Sequence, residues 1–304
     1  MDGIFNVLKP PGMTSHDVIG FLRRVLNTKK IGHGGTLDPD AAGVLPVFAG
    51  AATRLLSYAV EGRKQYIAEF TLGEQRDTGD DSGQIVKTMP VPPISEAELK
   101  QVLQKFLGKQ MQLPPMYSAI KVNGQKLYQL ARKGVEVERQ ARPIEIYKLE
   151  LLSAALPAEQ IKLAELDKYK FTVAVECSKG TYIRVLGEDI AAALGTCGTM
   201  SFLLRTQVGS YLLENAHTLQ EIVANPVAYC AELLTAVEHL PKLVLNARQA
   251  ARITNGVRTT IAGTLAGQYV LLGPQQEFLG IGKCQDEKVQ AEKIFAHYQM
   301  SAEE

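Results

Sequence analysis

The sequence predicts an α+β fold: a mixed sheet with helices laid against it, followed by a smaller β-rich unit at the C-terminal end. Three observations carry this expectation. Segments with the period-2 or continuous apolar character of strands recur along the whole chain. Helical segments, several opened by capping sequences, are interleaved with them. The two never settle into the regular strand–helix–strand repeat of a parallel α/β protein.

Residues 3–8 read as a short strand, and Thr14 or Ser15 can cap a helix carrying Ile19, Phe21, Leu22, Val25 and Leu26. Residues 44–48 are apolar and β-prone, and 51–60 have helical character. In 66–72, Tyr66, Ala68, Phe70 and Leu72 share one face, as in a half-buried strand. Residues 75–83, rich in Asp and Gly, predict a loop, and 89–93 form a proline-marked connector. Ser95-Glu96-Ala97-Glu98 is a capping box opening a helix to about Leu107. Strands are expected at 144–152 and 171–177, and a helix over 182–194 that ends at Gly195. Thr218 to Glu221 is a second capping box. Beyond about His239 come a short helix ending at Asn255-Gly256 and strands at 269–272 and 278–282. The expected division is therefore a domain over 1–239 and a small one over 240–304, which is marginal by size and should pack on the main body.

Bulk composition narrows the class. With 304 residues, 46% hydrophobic and 21% charged, the whole chain should fold as a globular protein. No run approaches the roughly 18 apolar residues of a membrane span. The N-terminus lacks a basic segment followed by an apolar one, so a cytoplasmic location without membrane contact is expected. Cys177, Cys197, Cys230 and Cys284 show no metal-ligand spacing; they are expected to be reduced and buried, with no metal bound. The net charge of +1 argues against a protein that coats nucleic acid by bulk electrostatics. Local charge differs: from Lys121 to Lys148 there are seven Lys or Arg (121, 126, 132, 133, 139, 142, 148) against three Glu (136, 138, 145). Arg23-Arg24, Lys29-Lys30 and Arg63-Lys64 flank a further feature, the glycine-rich turn below. A solvated face explains any single pair, whereas several pairs around one turn suit a polyanion.

That turn is Gly32-His33-Gly34-Gly35-Thr36-Leu37-Asp38-Pro39-Asp40. Its glycines permit positive φ and close backbone approach, while Pro39 pushes Asp38 toward an extended conformation. Asp38 is thus a carboxylate presented by the backbone; for an isolated Asp-Pro, a backbone-capping role would be the preferred explanation.

Four other segments accompany the turn: Lys9-Pro10-Pro11-Gly12-Met13-Thr14-Ser15, Lys64-Gln65-Tyr66, Pro114-Pro115-Met116-Tyr117-Ser118-Ala119-Ile120-Lys121 and Cys177-Ser178-Lys179-Gly180-Thr181-Tyr182-Ile183-Arg184. In this order and spacing, over 3–209, the chain resembles the TruB family of tRNA pseudouridine synthases, which isomerise the uridine at position 55 of the T loop. Asp77 to Gly83 resembles the family's Asp-rich loop; a Ca²⁺ loop lacks its closing Glu here. The tail from about Pro241 resembles the small RNA-binding PUA-type domain, chiefly through Phe278-Leu279-Gly280-Ile281-Gly282.

The resemblance implies a mainly antiparallel catalytic sheet of the pseudouridine synthase type, a tRNA T stem-loop as partner, and chemistry with no cofactor. It implies that Asp38 is the catalytic carboxylate, that Arg184 pairs with it, and that Tyr66 lies under the flipped uracil. His33, Gly35, Thr36, Leu37 and Tyr182 are carried over as substrate-binding residues. Lys9, Lys64, Lys121 and Arg132 join them, and the basic stretch Lys121 to Arg142 with Arg23-Arg24 is the candidate for contacts to phosphate. Core packing is the structural alternative for Tyr66 and Tyr182, an ordinary surface arginine for Arg184. Nothing resembles a dimer seam, and a monomer is expected. Two rival functions stand beside this one: an RNA N-glycosylase, in which water replaces the isomerising step, and a non-catalytic tRNA-binding or folding protein, for which Asp38 would be dispensable.

Overall fold

The computed structural model describes residues 1–60, 62–122, 124–155 and 169–299. In chain order, β1 (Gly3–Lys9), α1 (Ser15–Val25), β2 (Ile31–His33) and β3 (Ala42–Ala49) lead through a short α2 (Leu56–Ala59) to β4 (Lys64–Leu72). β5 (Glu74–Arg76) and β6 (Ile85–Thr88) form a small ribbon before α3 (Glu96–Gln104) and β7 (Gly108–Gln112). The two-residue strands β8 (Lys121–Val122) and β9 (Gln125–Lys126) precede α4 (Leu127–Ala131), β10 (Arg142–Ala155) and β11 (Lys170–Cys177). Then come α5 (Ile183–Ala193), β12 (Gly198–Val208), β13 (Tyr211–Leu212) and α6 (Leu219–Ala224). The C-terminal part contains β14 (Lys242–Val244), α7 (Ala247–Thr254), β15 (Thr259–Thr260), β16 (Gly267–Leu272), β17 (Phe278–Gln285) and β18 (Lys288–Ile294).

Nine strands make the main sheet, in the order β1-β3-β12-β4-β11-β10-β7, with β2 added on β3 and β13 on β12. Every pairing in it is antiparallel except β3 with β12. The architecture is thus mixed α+β with a mainly antiparallel sheet, and a separate five-stranded sheet, β14-β16-β17-β18-β15, follows it.

Local chemistry explains where the elements begin and end. Thr14, Ser95 and Thr218 each accept from the N3 backbone N–H, while Asp17, Glu98 and Glu221 reach back to the cap, so α1, α3 and α6 start at capping boxes. Gly195 at φ +81° stops α5 and Gly256 at φ +83° stops α7. Tyr66, Ala68 and Phe70 are buried on one face of β4, in the core that also takes Leu99, Phe171, Val173 and Ile190. Gly187 of α5 faces the Phe70 ring with no room for a Cβ, which lets that helix lie close on β4.

Four expectations need correction. Residues 51–60 open as a 3₁₀ turn over Gly50–Leu55, because Gly50 enters at φ +59° and Ala49 supplies no side-chain cap. The helix expected to reach Leu107 stops at Gln104. Residues 75–83 are not loop throughout, since Glu74–Arg76 pairs with Ile85–Thr88. Strand β12, an interior strand between β3 and β4, had no signal in the sequence. Bulges between Met200 and Phe202 and between Arg205 and Gln207 break its side-chain alternation, so no period-2 pattern survives.

The C-terminal sheet packs on the main body as its size led us to expect. Val270, Leu272 and Ile281 share a buried cluster with Ile4, Phe48 and Leu55, and Arg54 stacks 4.6 Å from the Phe295 ring centroid.

Candidate active site

The Asp38 turn joins β2 to β3 and is held from several directions. Gly34 donates to the Pro46 carbonyl at 2.8 Å, and Gly35 adopts φ +125°, a conformation that favours glycine. The Leu37 side chain is buried, and its backbone N–H donates to Ser15 Oγ at 2.9 Å. Lys9, at the end of β1, is fully buried; its Nζ donates to the carbonyls of Pro10, Pro39 and Ala41 at 2.8, 2.8 and 2.7 Å. Expected as a contact to RNA, this ammonium instead sits behind the turn and ties its exit to the sheet. Burial brings its pKa down to about 8.

Arg184 reaches Asp38 from the first turn of α5, 146 residues away in sequence. Its Nε lies 3.1 Å from Asp38 Oδ2 and its Nη2 3.2 Å from Oδ1, a bidentate pair. The guanidinium also donates to the carbonyls of Thr78 at 2.6 Å and Tyr117 at 2.8 Å, and Asp80 Oδ2 stands 3.8 Å from its Nε. Two of the segments singled out in the sequence, the Asp-rich loop and Pro114–Lys121, therefore meet on Arg184. The arginine side chain is 5% exposed while that of Asp38 keeps 32%, so the carboxylate faces outward from a buried cation. Burial raises the Asp38 carboxyl above its ordinary value and Asp80 adds to the rise; Arg184 and Lys9 oppose it and favour the ionised form.

Tyr66 is buried in β4, in register with Arg205 of β12 on one side and Val175 of β11 on the other. Burial pushes its phenol up to about 12, so it carries its proton at neutral pH. His33 ends β2; its Nδ1 accepts from the Gly35 N–H at 3.3 Å, and burial lowers its pKa, which favours the neutral ring. Tyr182 is the residue before α5, fastened by Gln112, which accepts from its N–H at 2.8 Å and donates to its carbonyl at 3.1 Å. Lys64 opens β4 beside the turn; a Cβ on Gly35 would stand 3.2 Å from its Nζ. Burial, with Arg205 second, brings the Lys64 pKa down to about 8. Lys121 is exposed on β8, and Arg132 ends α4 with its guanidinium 5.6 Å from the Tyr128 ring.

The sequence reading missed Arg205. It is completely buried, and its guanidinium donates to the carbonyls of Val44, Gly35 and Thr36 at 2.8, 2.9 and 3.2 Å. The available signal was an arginine directly after Phe202-Leu203-Leu204, but without a recognised strand around it nothing set it apart from a surface residue.

Residues 23–183 match the family described as TruB family pseudouridylate synthase (N terminal domain), and 184–248 match the tRNA pseudouridylate synthase B C-terminal domain. The chain is 43% identical over 299 residues to tRNA pseudouridine synthase B of Caldanaerobacter subterraneus subsp. tengcongensis, covering 97% of this chain and 99% of that one. It is 43% identical over 262 residues to tRNA pseudouridine synthase B of Bacillus subtilis, covering 84% and 82%. Among solved structures it is similar to a chain of a Cbf5-Nop10-Gar1 complex, with a TM-score of 0.72, 28% identity, and 98% and 87% of the two chains covered.

Proposed function

The chain belongs to the TruB family of tRNA pseudouridine synthases, and from that premise we propose that it isomerises the uridine at position 55 of the tRNA T loop, with Asp38 as the catalytic carboxylate. The observation that carries the residue assignment is the bidentate Asp38–Arg184 pair at the mouth of a glycine turn.

The reaction breaks the bond from uracil N1 to C1′, turns the base, and joins C5 to C1′; the C5 hydrogen is lost and N1 ends protonated. Oxidation state and composition are unchanged, so the requirements are a placed negative charge, a shaped pocket and a route for one proton. Asp38 supplies the charge, whether it adds to the ring or to the sugar. Arg184 sets its direction, and the carbonyls of Thr78 and Tyr117 hold the arginine in turn. Tyr66 offers a ring on which uracil stacks and a protonated hydroxyl beside it, with Tyr182 as a second wall.

A base stacked in a folded loop is extruded at a cost of about a few kcal/mol, which contacts to the RNA must offset. His33, neutral and next to Gly35, is suited to the space the base leaves. Gly35, Thr36 and Leu37 shape the turn against the nucleotide. Lys64 is placed for the phosphate nearest the turn, and Lys121 and Arg132 for the stem. Residues 1–239 form the catalytic domain in this reading and 240–304 a PUA-like domain that adds RNA contact, in a cytoplasmic enzyme acting as a monomer without a cofactor.

The test is incubation with a T-arm stem-loop transcript, without metal or nucleotide, followed by chemical labelling of pseudouridine. Product is expected with the parent chain and none with Asp38→Asn. Free uracil in place of pseudouridine, or no product from the folded parent, overturns the reading.

A further inference from the structure

We infer that Arg205 is a positioning residue for the reaction: it holds the Asp38 turn at its working height through three carbonyls and sets the direction in which Tyr66 presents its hydroxyl hydrogen. This rests on the catalytic reading of Asp38 and Tyr66 above.

The first observation is electrostatic. Arg205 is 0% exposed, and among the described residues no carboxylate forms an ion pair with it. Its hydrogen-bond partners are the carbonyl oxygens of Gly35, Thr36 and Val44, and it stands opposite Tyr66 across the β4–β12 pairing, where its charge acts on the phenol. Burial disfavours the charged guanidinium, and what offsets it is this set of oxygens together with the charge of Asp38, which lies beyond ion-pair distance. A fully buried cation tied to the turn that carries Asp38 points to a requirement of the site.

The second is directional. A guanidinium carries a positive charge, five N–H donors and no acceptor, so Tyr66 turns the oxygen of its hydroxyl, not the hydrogen, toward it. The phenolic hydrogen is thereby turned away from Arg205 and is free to be donated elsewhere. Without Arg205 the hydroxyl could donate to one of the freed carbonyls, and its hydrogen would be directed into the protein instead of the pocket. The same charge opposes the burial that raises the phenol's pKa.

The third is mechanical. Arg205 pairs with Tyr66 across β4 and with Gly43 across the parallel contact to β3, the strand that leaves the turn. Gly43 has φ +114°, and a Cβ there would run into the Arg205 backbone. The three strands are thus drawn together where one side chain can reach both Tyr66 and the carbonyls two and three residues before Asp38. Lysine keeps the charge but cannot reproduce a planar fork on these acceptors.

The test uses Arg205→Lys, Arg205→Met, Tyr66→Phe and the double variant R205K/Y66F, each checked by circular dichroism and assayed on the T-arm stem-loop for kcat and KM. We expect R205K to fold, to lose roughly 10²-fold in kcat as misplacement of a reacting group does, and to change KM less than about threefold. The double variant should be little worse than the weaker single one, because the two side chains act as a unit. R205K with parental kcat, or kcat losses that simply multiply, overturns the inference. If R205M does not fold, the R205K and Y66F cycle decides alone; if R205K does not fold either, Arg205 is a structural residue and the inference fails.

Discussion

The Asp38 pocket and the segment over 113–139, which carries five of the seven cations of the basic run, show two ways of using positive charge. In the pocket, Arg184 and Arg205 are buried, each makes three hydrogen bonds to carbonyl or carboxylate oxygens, and each comes from a different element of the main sheet or its covering helix. In the basic segment, Lys121, Arg132 and Lys133 are exposed on a two-residue strand and at the end of one short helix, and among the described residues between 115 and 139 only Ser118 and Leu127 are buried. The difference follows from what each cation must hold. A carboxylate must be aimed to within a fraction of an ångström, which needs a rigid, desolvated frame, whereas a phosphate backbone is matched by solvated charges at low cost in ordering. The two regions meet where Arg184 donates to the Tyr117 carbonyl.

Substitutions should separate them, the pocket failing in chemistry and the segment in binding. Asp38→Asn removes the charge and keeps the shape; kcat should fall at least about 10³-fold while T-arm affinity, read by filter binding, stays within a few-fold. Retained activity would end the case for Asp38. Arg184→Ala leaves Asp38 without its partner and frees the carbonyls of Thr78 and Tyr117. Activity should be lost, and chemical denaturation should show a stability loss of about 1.5–3 kcal/mol, the scale of hydrogen bonds to a charged group. Unchanged stability would mean the pair is not formed in solution.

Lys64 lies between the two regimes and should report on pH. Its folded pKa, about 8, is below its ordinary value, so the chain sheds this proton more readily when folded and its burial becomes less costly to stability as pH rises from about 8 toward 10.5. A phosphate favours the charged form, so affinity for the stem-loop should run in the opposite sense, weakening about three- to tenfold as pH rises through 8. Lys64→Arg, charged throughout, should flatten that profile; an identical profile in the variant would place the titration elsewhere. The smallest effects belong to the exposed segment. Lys121→Ala and Arg132→Ala should each weaken binding only a few-fold, with kcat at saturating RNA unchanged and the slope of log affinity against log salt shallower by about 0.7–0.9. A fall in kcat would show that the segment takes part in aiming Arg184.

Legibility in the sequence followed the range of the interaction. The helix starts at Thr14, Ser95 and Thr218 depend on contacts three residues apart and could be read directly. The face of β4 that buries Tyr66 was visible because nothing interrupts its alternation, while β12 was hidden by two bulges in eleven residues. Asp38 and Arg184 stood out through their motifs, yet their contact across 146 residues entered only through the family resemblance.

Lys9 and Arg205 show where a chain of letters stops being informative. Lys9 read as a cation available to RNA, and Arg205 did not register at all, though both lie inside the protein on backbone carbonyls. By itself the sequence determined the turn that presents Asp38, since glycine and proline restrict φ and ψ at their own positions and next to them. It also determined the caps, and the resemblance that names the chemistry. Only the tertiary structure decided which cations face solvent and which are enclosed, because burial depends on strands such as β3, β4 and β12 that meet from distant parts of the chain. The cost of enclosing a charge is set by the partners found there.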